Sequence, residues 1–170
     1  MNSRAIVRGF FALGMALLLF VTGCAEQAPS RWDQAQQQST QQKSGQAVSK
    51  KAEAGGSFNK FFPKPSEGFE RVYTQEKKGF AEAKLKKGGK DVAMLSISDT
   101  ISVPASAEKY KQSTRTISGY PAVDQGQTAT GVLVAERYQV KVLSRDPSFT
   151  KSDRETWISK FDLNGLSRLK

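Results

Sequence analysis

The reading of one stretch decides the fold: Phe80-Ala81-Glu82-Ala83-Lys84-Leu85-Lys86, then Lys87-Gly88-Gly89-Lys90, then Asp91-Val92-Ala93-Met94-Leu95-Ser96-Ile97. In the first part Ala81, Ala83 and Leu85 alternate with Glu82, Lys84 and Lys86, the period-two pattern of a strand with one wet face. The glycine pair supplies positive φ for a tight turn. The last part is apolar at both parities, so it predicts a central strand covered on both faces. Working upstream, residues 69–75 predict a further strand joined through Lys77-Lys78-Gly79, which completes a three-stranded meander. Upstream again, Phe58, Phe61 and Phe62 share one helical face before Pro63 and Pro65 end it. These rings close the core of the fold or, in a sharper reading, form a wedge for a membrane or partner.

Downstream, the order repeats. Beyond Pro104, Ser106 is expected to cap a short helix running to Lys111. Residues 114–118, 128–134 and 138–143 predict three strands, with Tyr120 held extended by Pro121. A three-residue loop at Ala135-Glu136-Arg137 puts Val132, Val134, Tyr138, Val140 and Val142 on one face; one long bent strand keeps the same parity. Ser152-Asp153-Arg154-Glu155 fits a capping box. Trp157, Phe161, Leu163, Leu166 and Leu169 follow as an apolar stripe, which Asn164-Gly165 is expected to break. The fold class is therefore α+β: an antiparallel sheet of about six strands, built as two β-β-β-α halves, with helices packed on it. That layout is similar to small membrane-tethered domains of the type of the oxygen-evolving-complex extrinsic proteins. None of their motifs is matched, and no function follows from the likeness.

The N-terminus has a different texture. Arg4 and Arg8 precede an uncharged apolar run, residues 10–21. It is short of the about 20 residues that a spanning helix needs, and it fits an export signal. Val21-Thr22-Gly23-Cys24 resembles the lipobox of bacterial lipoprotein precursors. The resemblance implies that residues 1–23 are removed, that the Cys24 thiol carries a diacylglycerol, and that the mature protein is held at a membrane on the extracytoplasmic side. Acyl chains contribute about 0.8 kcal/mol per buried methylene, so such attachment is stable. In a Gram-negative cell, Ala25 after the cysteine implies the periplasmic face of the outer membrane. Cleavage after Ala25, or retention of the apolar run as an anchor, are the competing readings. Cys24 is the single cysteine of the chain, so once acylated it leaves no thiol for disulfides or metal.

Residues 24–57 read as a lipidated cysteine followed by a tether. The run at 34–42 is rich in glutamine, and such a segment buries too little apolar surface to offset its ordering entropy. A flexible chain of that length reaches about 30 Å. Residues 58–170 make a single globular domain. They hold twenty basic and thirteen acidic residues, so the positive excess lies on the folded part.

Chemistry is bounded mainly by absences. The chain has no histidine, which removes the commonest general base and zinc ligand. No haem motif, phosphate loop or EF-hand spacing occurs. We therefore expect no catalytic residues, no metal and no cofactor beyond the lipid on Cys24. A hydrolase using two carboxylates is the remaining enzymatic possibility. Lys77, Lys78, Lys84, Lys86, Lys87 and Lys90 all fall on the first meander. They suit docking to an anionic surface, or the plainer task of guarding a strand edge. Tyr120 and Pro121 form a second candidate partner surface. Export and the lack of interleaved aromatics argue against nucleic acid. The expected function is an accessory binding or scaffolding domain for another envelope protein or anionic polymer. The alternative is a carrier or sensor of a small apolar ligand.

Overall fold

The structure, a computed structural model, describes residues 48–169. The signal segment, the lipobox residues Val21, Thr22, Gly23 and Cys24, and most of the tether lie outside them. Among the described residues no helix is long and apolar enough to cross a membrane.

The opening meander forms as its pattern requires. Strands β1 (Phe69–Lys77), β2 (Phe80–Lys87) and β3 (Lys90–Asp99) pair antiparallel in sequence. Gly79, with φ at 78°, turns the chain between β1 and β2, and Gly88 and Gly89, with φ at 56° and 78°, turn it between β2 and β3. Ala81, Ala83 and Leu85 are fully buried, and Lys84 and Lys86 stand on the opposite face. β3 is buried at both parities from Val92 to Ile97, as its apolar run predicts.

The second half adds β4 (Thr116–Ile117), β5 (Tyr120–Gln125), β6 (Ala129–Val134) and β7 (Tyr138–Ser144). All seven strands join in the order β1-β2-β3-β7-β6-β5-β4, each pair antiparallel. The last strand of each half thus sits at the centre, with Leu95 opposite Val142 and Ile97 opposite Val140. The α+β class holds, but the strand count is seven rather than six. β5 is the addition, in a stretch the sequence reads as a connection. Proline and two polar residues mask its strand character, yet Pro121 pairs only with Thr116 of the two-residue β4. Pairing with β6 begins at Ala122, so the missing N–H of proline breaks no ladder there.

Between β6 and β7 the chain makes a hairpin. Val134 faces Tyr138 across Ala135-Glu136-Arg137, and Val132 faces Val140. This brings Val132, Val134, Tyr138, Val140 and Val142 to one face, where all are buried. Helices α2 (Lys151–Ser159) and α3 (Leu163–Ser167) and a 3-10 turn at Gly55–Phe61 cover that face. Trp157, Ile158, Phe161, Leu163 and Leu166 meet Phe58, Phe61 and Phe62 in one continuous core. Phe58 meets Tyr138 edge-on at 5.8 Å, and Phe62 lies 5.2 Å from Phe161. The three phenylalanines of the turn therefore pack inward and present no wedge to solvent.

Helix α1 (Ala105–Lys111) lies on the other face of the sheet. Its Ala107 and Tyr110 pack on Leu133 and Val123, and Leu133 alternates in β6 with the core residues Val132 and Val134. The Tyr110 hydroxyl accepts hydrogen bonds from Gln139 at 2.7 Å and Gln125 at 3.1 Å. The two halves thus send their helices to opposite faces.

Three local details differ from the sequence reading. Ser106 lies inside α1, which follows Pro104 with no side-chain cap. The capping box of α2 is Thr150 with Asp153, two residues upstream of the expected pair. The Asp153 carboxylate accepts from the Thr150 amide at 2.7 Å, and Glu155 turns instead to Arg115. Both boxes fit the spacing; the one that forms lets Arg154, Trp157 and Ile158 face the sheet. The helix break falls at 160–162 rather than at Asn164-Gly165. The Asp162 amide donates to the Phe61 carbonyl at 3.0 Å, and its side chain then caps α3 through the Gly165 amide at 2.7 Å.

Residues 48–57, assigned by composition to the tether, pack on the sheet. Ala52 is buried, and a Cβ on Gly55 would meet backbone atoms of Lys77 and Phe80 at 2.5–2.6 Å. Only glycine allows that approach. Asp99 ties this segment down, because its Oδ2 accepts the Glu53 amide at 2.9 Å.

Candidate functional site

The meander does not gather its six lysines into one patch; it divides them. Lys77 and Lys78 lie at the β1–β2 turn, Lys84 in mid-strand, and Lys86, Lys87 and Lys90 at the β2–β3 turn. Eight residues of β2 rising about 3.3 Å each put the two turns roughly 23 Å apart.

The β1–β2 end is where the chain enters. Lys78 Nζ donates to the Lys50 carbonyl at 2.8 Å, and Lys77 Nζ lies 5.2 Å from the Phe80 ring centre. A cleft of about 560 Å³ between residues 52–56 and 76–78 opens beside them. Behind it, the Asp99 side chain is fully buried. It takes Arg137 bidentately, Nε to Oδ1 at 3.0 Å and Nη2 to Oδ2 at 2.8 Å. Burial alone would lift the Asp99 carboxyl. Hydrogen bonds from Arg137, Glu53 and Ile101 outweigh it and hold the group below the usual carboxylate range. Every lone pair is occupied by protein, which makes this a structural clasp for the incoming chain.

In mid-strand, Lys84 pairs with Asp91 at 2.6 Å, and Lys86 stands 4.0 Å from the same carboxylate. One acid therefore serves two lysines.

The β2–β3 end is different. Lys87 lies over the Phe69 ring at 4.7 Å. The β3–β7 pairing places Ser144 opposite Ala93, and the Arg145 amide donates to the Val92 carbonyl at 2.8 Å. Arg145, and with it Lys151 and Arg154 of α2, thereby lie at the same end of the sheet as Lys86, Lys87 and Lys90, with Lys86 on the face opposite α2. The acids among them are Asp91, Asp146 and Asp153. Hydrogen bonds from Ser148 hold Asp146 below its ordinary range, and the charge of Lys90 adds to the effect. Hydrogen bonds from Thr150 do the same for Asp153, with Lys87 contributing. A cleft of about 460 Å³ opens at this end, lined by Arg145, Asp146, Lys151 and Arg154 together with hydroxyl side chains.

Nearby, Asp124 accepts from Lys151 at 2.6 Å, Thr130 at 2.8 Å and Arg115 at 3.1 Å. Burial would raise this carboxyl, but those partners win and hold it at about 2. Asp124 and Glu155 converge on Arg115, so the two acids are ion-paired; neither lines either cleft. Among the described residues no group of three His, Cys, Asp or Glu side chains is placed to hold a metal.

Tyr120 and Pro121 open β5. The Tyr120 ring packs against the main core, and its hydroxyl meets Asn164 Oδ1 at 3.1 Å. The pair ties β5 to α3. The sequence reading missed Arg145, Lys151 and Arg154. Arg154 carried a signal: it stands one turn ahead of Trp157 and Ile158, a cation within an apolar stripe.

Comparison with protein-family models, with curated proteins and with solved structures finds no match for this chain.

Proposed function

We propose that the chain is a bacterial envelope lipoprotein whose folded domain is an accessory docking module. Acylated Cys24 anchors it, and it binds an anionic component of the envelope. The observation that carries the reading is the gathering of Lys86, Lys87 and Lys90 with Arg145 and Lys151 at one end of the sheet. The chain enters at the other end, beside Gly79. The basic cleft therefore lies at the end of the sheet remote from the entering chain, where the tether leaves it open to a partner. Positive charge gathered at a tip raises the encounter rate with an anionic partner and fixes the docking orientation. The space between the sheet and α2 and α3 is filled by aromatic and aliphatic side chains, which favours docking over carriage of an apolar ligand. In a Gram-negative cell the site of action is the periplasmic face of the outer membrane.

Crosslinking of the full-length protein in its own cells, with mass spectrometry of the adducts, tests this. We expect one dominant envelope component, lost when Lys86, Lys87 and Lys90 are changed together to glutamine. An unchanged adduct pattern, or none, overturns the docking role. The same spectra read the anchor, where an unmodified Cys24 thiol overturns the lipoprotein assignment.

A further inference from the structure

The cleft at the basic tip contains a buried cation that no acid meets. Arg154 sits on the sheet-facing side of α2 and is 4% exposed. Burying a charge is costly unless it is paired. Arg154 forms no salt bridge among the described residues. Its Nε donates to Thr130 Oγ1 at 3.0 Å and its Nη1 to Ser144 Oγ at 2.9 Å. Those bonds use two of the five N–H groups of a guanidinium and leave three. Asp124 is linked to Arg154 only through the Thr130 hydroxyl and already accepts from Lys151 and Arg115. Arg145 is exposed at the cleft, Lys151 lines it, and the one acid lining it, Asp146, is turned to the Ser148 amide at 2.8 Å and hydroxyl at 2.6 Å. Lys151 is already paired with Asp124 at 2.6 Å, so Arg145 and Arg154 against Asp146 leave the lining with one uncompensated positive charge.

We propose that this cleft binds a phosphomonoester, with Arg154 as the buried charge partner of the phosphate and Arg145 and Lys151 closing on it from the rim. The sign of the charge matches: a phosphomonoester carries about −1.5 to −2 at neutral pH, and the lining keeps a positive excess that includes the unpaired Arg154. Guanidinium donors pair with phosphate oxygens through strong, charge-assisted hydrogen bonds. The size matches as well. A volume of about 460 Å³ far exceeds the share of one water, about 30 Å³, so an organic body fits beside the anion. The charge of Lys90 reaches Asp146 at the cleft and adds to the attraction for anions. The site deepens the docking reading, and rests on it only for the claim that the anion belongs to the envelope.

Calorimetric titration of the full chain in detergent with glycerol 3-phosphate tests the site, and inorganic phosphate serves as the minimal probe. We expect saturable binding of both, weakened at least tenfold by Arg154→Gln. Arg145→Gln, at an exposed position, weakens it without risk to the core. Lys77→Gln, at the opposite end, leaves it unchanged. Vesicles containing phosphatidic acid, compared with pure phosphatidylcholine, distinguish a lipid headgroup from a soluble ester, and competition by glycerol 3-phosphate assigns vesicle binding to the cleft. Absence of saturable binding to any probe overturns the site, as does equal binding by wild type, Arg154→Gln and Arg145→Gln. Loss of the site with the cellular crosslink retained leaves docking standing. Phosphoester binding with no crosslinked partner overturns docking and leaves the site.

Discussion

Asp99 and Asp124 show how single carboxylates secure this domain. Each is surrounded by cations and N–H or O–H donors that hold it in its charged form. The group at Asp124 titrates at about 2 in the fold and near 3.9 in an unfolded chain. A depressed carboxyl contributes stability that is complete above its unfolded pKa and disappears as pH falls through the folded value. Unfolding midpoints should therefore drop between pH 4 and about 2. Asp124→Asn should flatten that slope in urea titrations run across this range; identical slopes for the two proteins would refute the assignment. Little of this was legible at the level of residues. Asp99 and Asp124 read as scattered single acids, because Arg137 lies 38 residues from Asp99 and Lys151 lies 27 from Asp124. Only folding brings those partners together. Arg154 was legible in principle, since a cation in the stripe of Trp157, Ile158 and Phe161 must be buried with them. Its separation from any acid belongs to tertiary structure.

At the scale of elements, the β6–β7 hairpin turns on residues that do not announce a turn. Ala135 and Glu136 have φ of 50° and 56°, a left-handed pair that costs about 1–2 kcal/mol per non-glycine residue. Asn-Gly is the sequence that such a turn favours. Replacing Ala135 by Asn and Glu136 by Gly should raise stability by about 1 kcal/mol, measured as a higher urea midpoint with an unchanged slope. A fall would mean that these side chains contribute something the backbone does not. The same feature explains why the sequence, read as a hairpin, still left one bent strand open: alternation fixes parity, and only turn chemistry separates the two. Gly88-Gly89, by contrast, stated its turn outright. The capping box of α2 shows the converse, where two motifs of equal spacing overlapped. The choice fell to whichever start aimed the apolar stripe at the sheet.

For the molecule as a whole, the folded unit begins before Phe58. Glu53 is held at both its amide and its carbonyl, by Asp99 and Gly79, and Ala52 and Gly55 are buried. A fragment of residues 58–170 should be less stable than one of 48–170 by about 2–3 kcal/mol, at about 1 kcal/mol for each lost hydrogen bond plus the exposed surface. Equal urea midpoints would show that the segment only rests on the sheet. By itself the sequence determined the α+β class, the first meander, the shared face of the β6–β7 valines and the aromatic lining of the core. Those follow from period-two and helical spacing, which are local. Tertiary structure alone decided that β5 is a strand, that the two halves send their helices to opposite faces, and that three of the lysines share an end with Arg145, Lys151 and Arg154. Each depends on which distant strands become neighbours. Pairing β3 with β7 at the centre of the sheet settled that, because it sets the apolar rows of the two halves side by side on one face, Leu95 beside Val142 and Ile97 beside Val140.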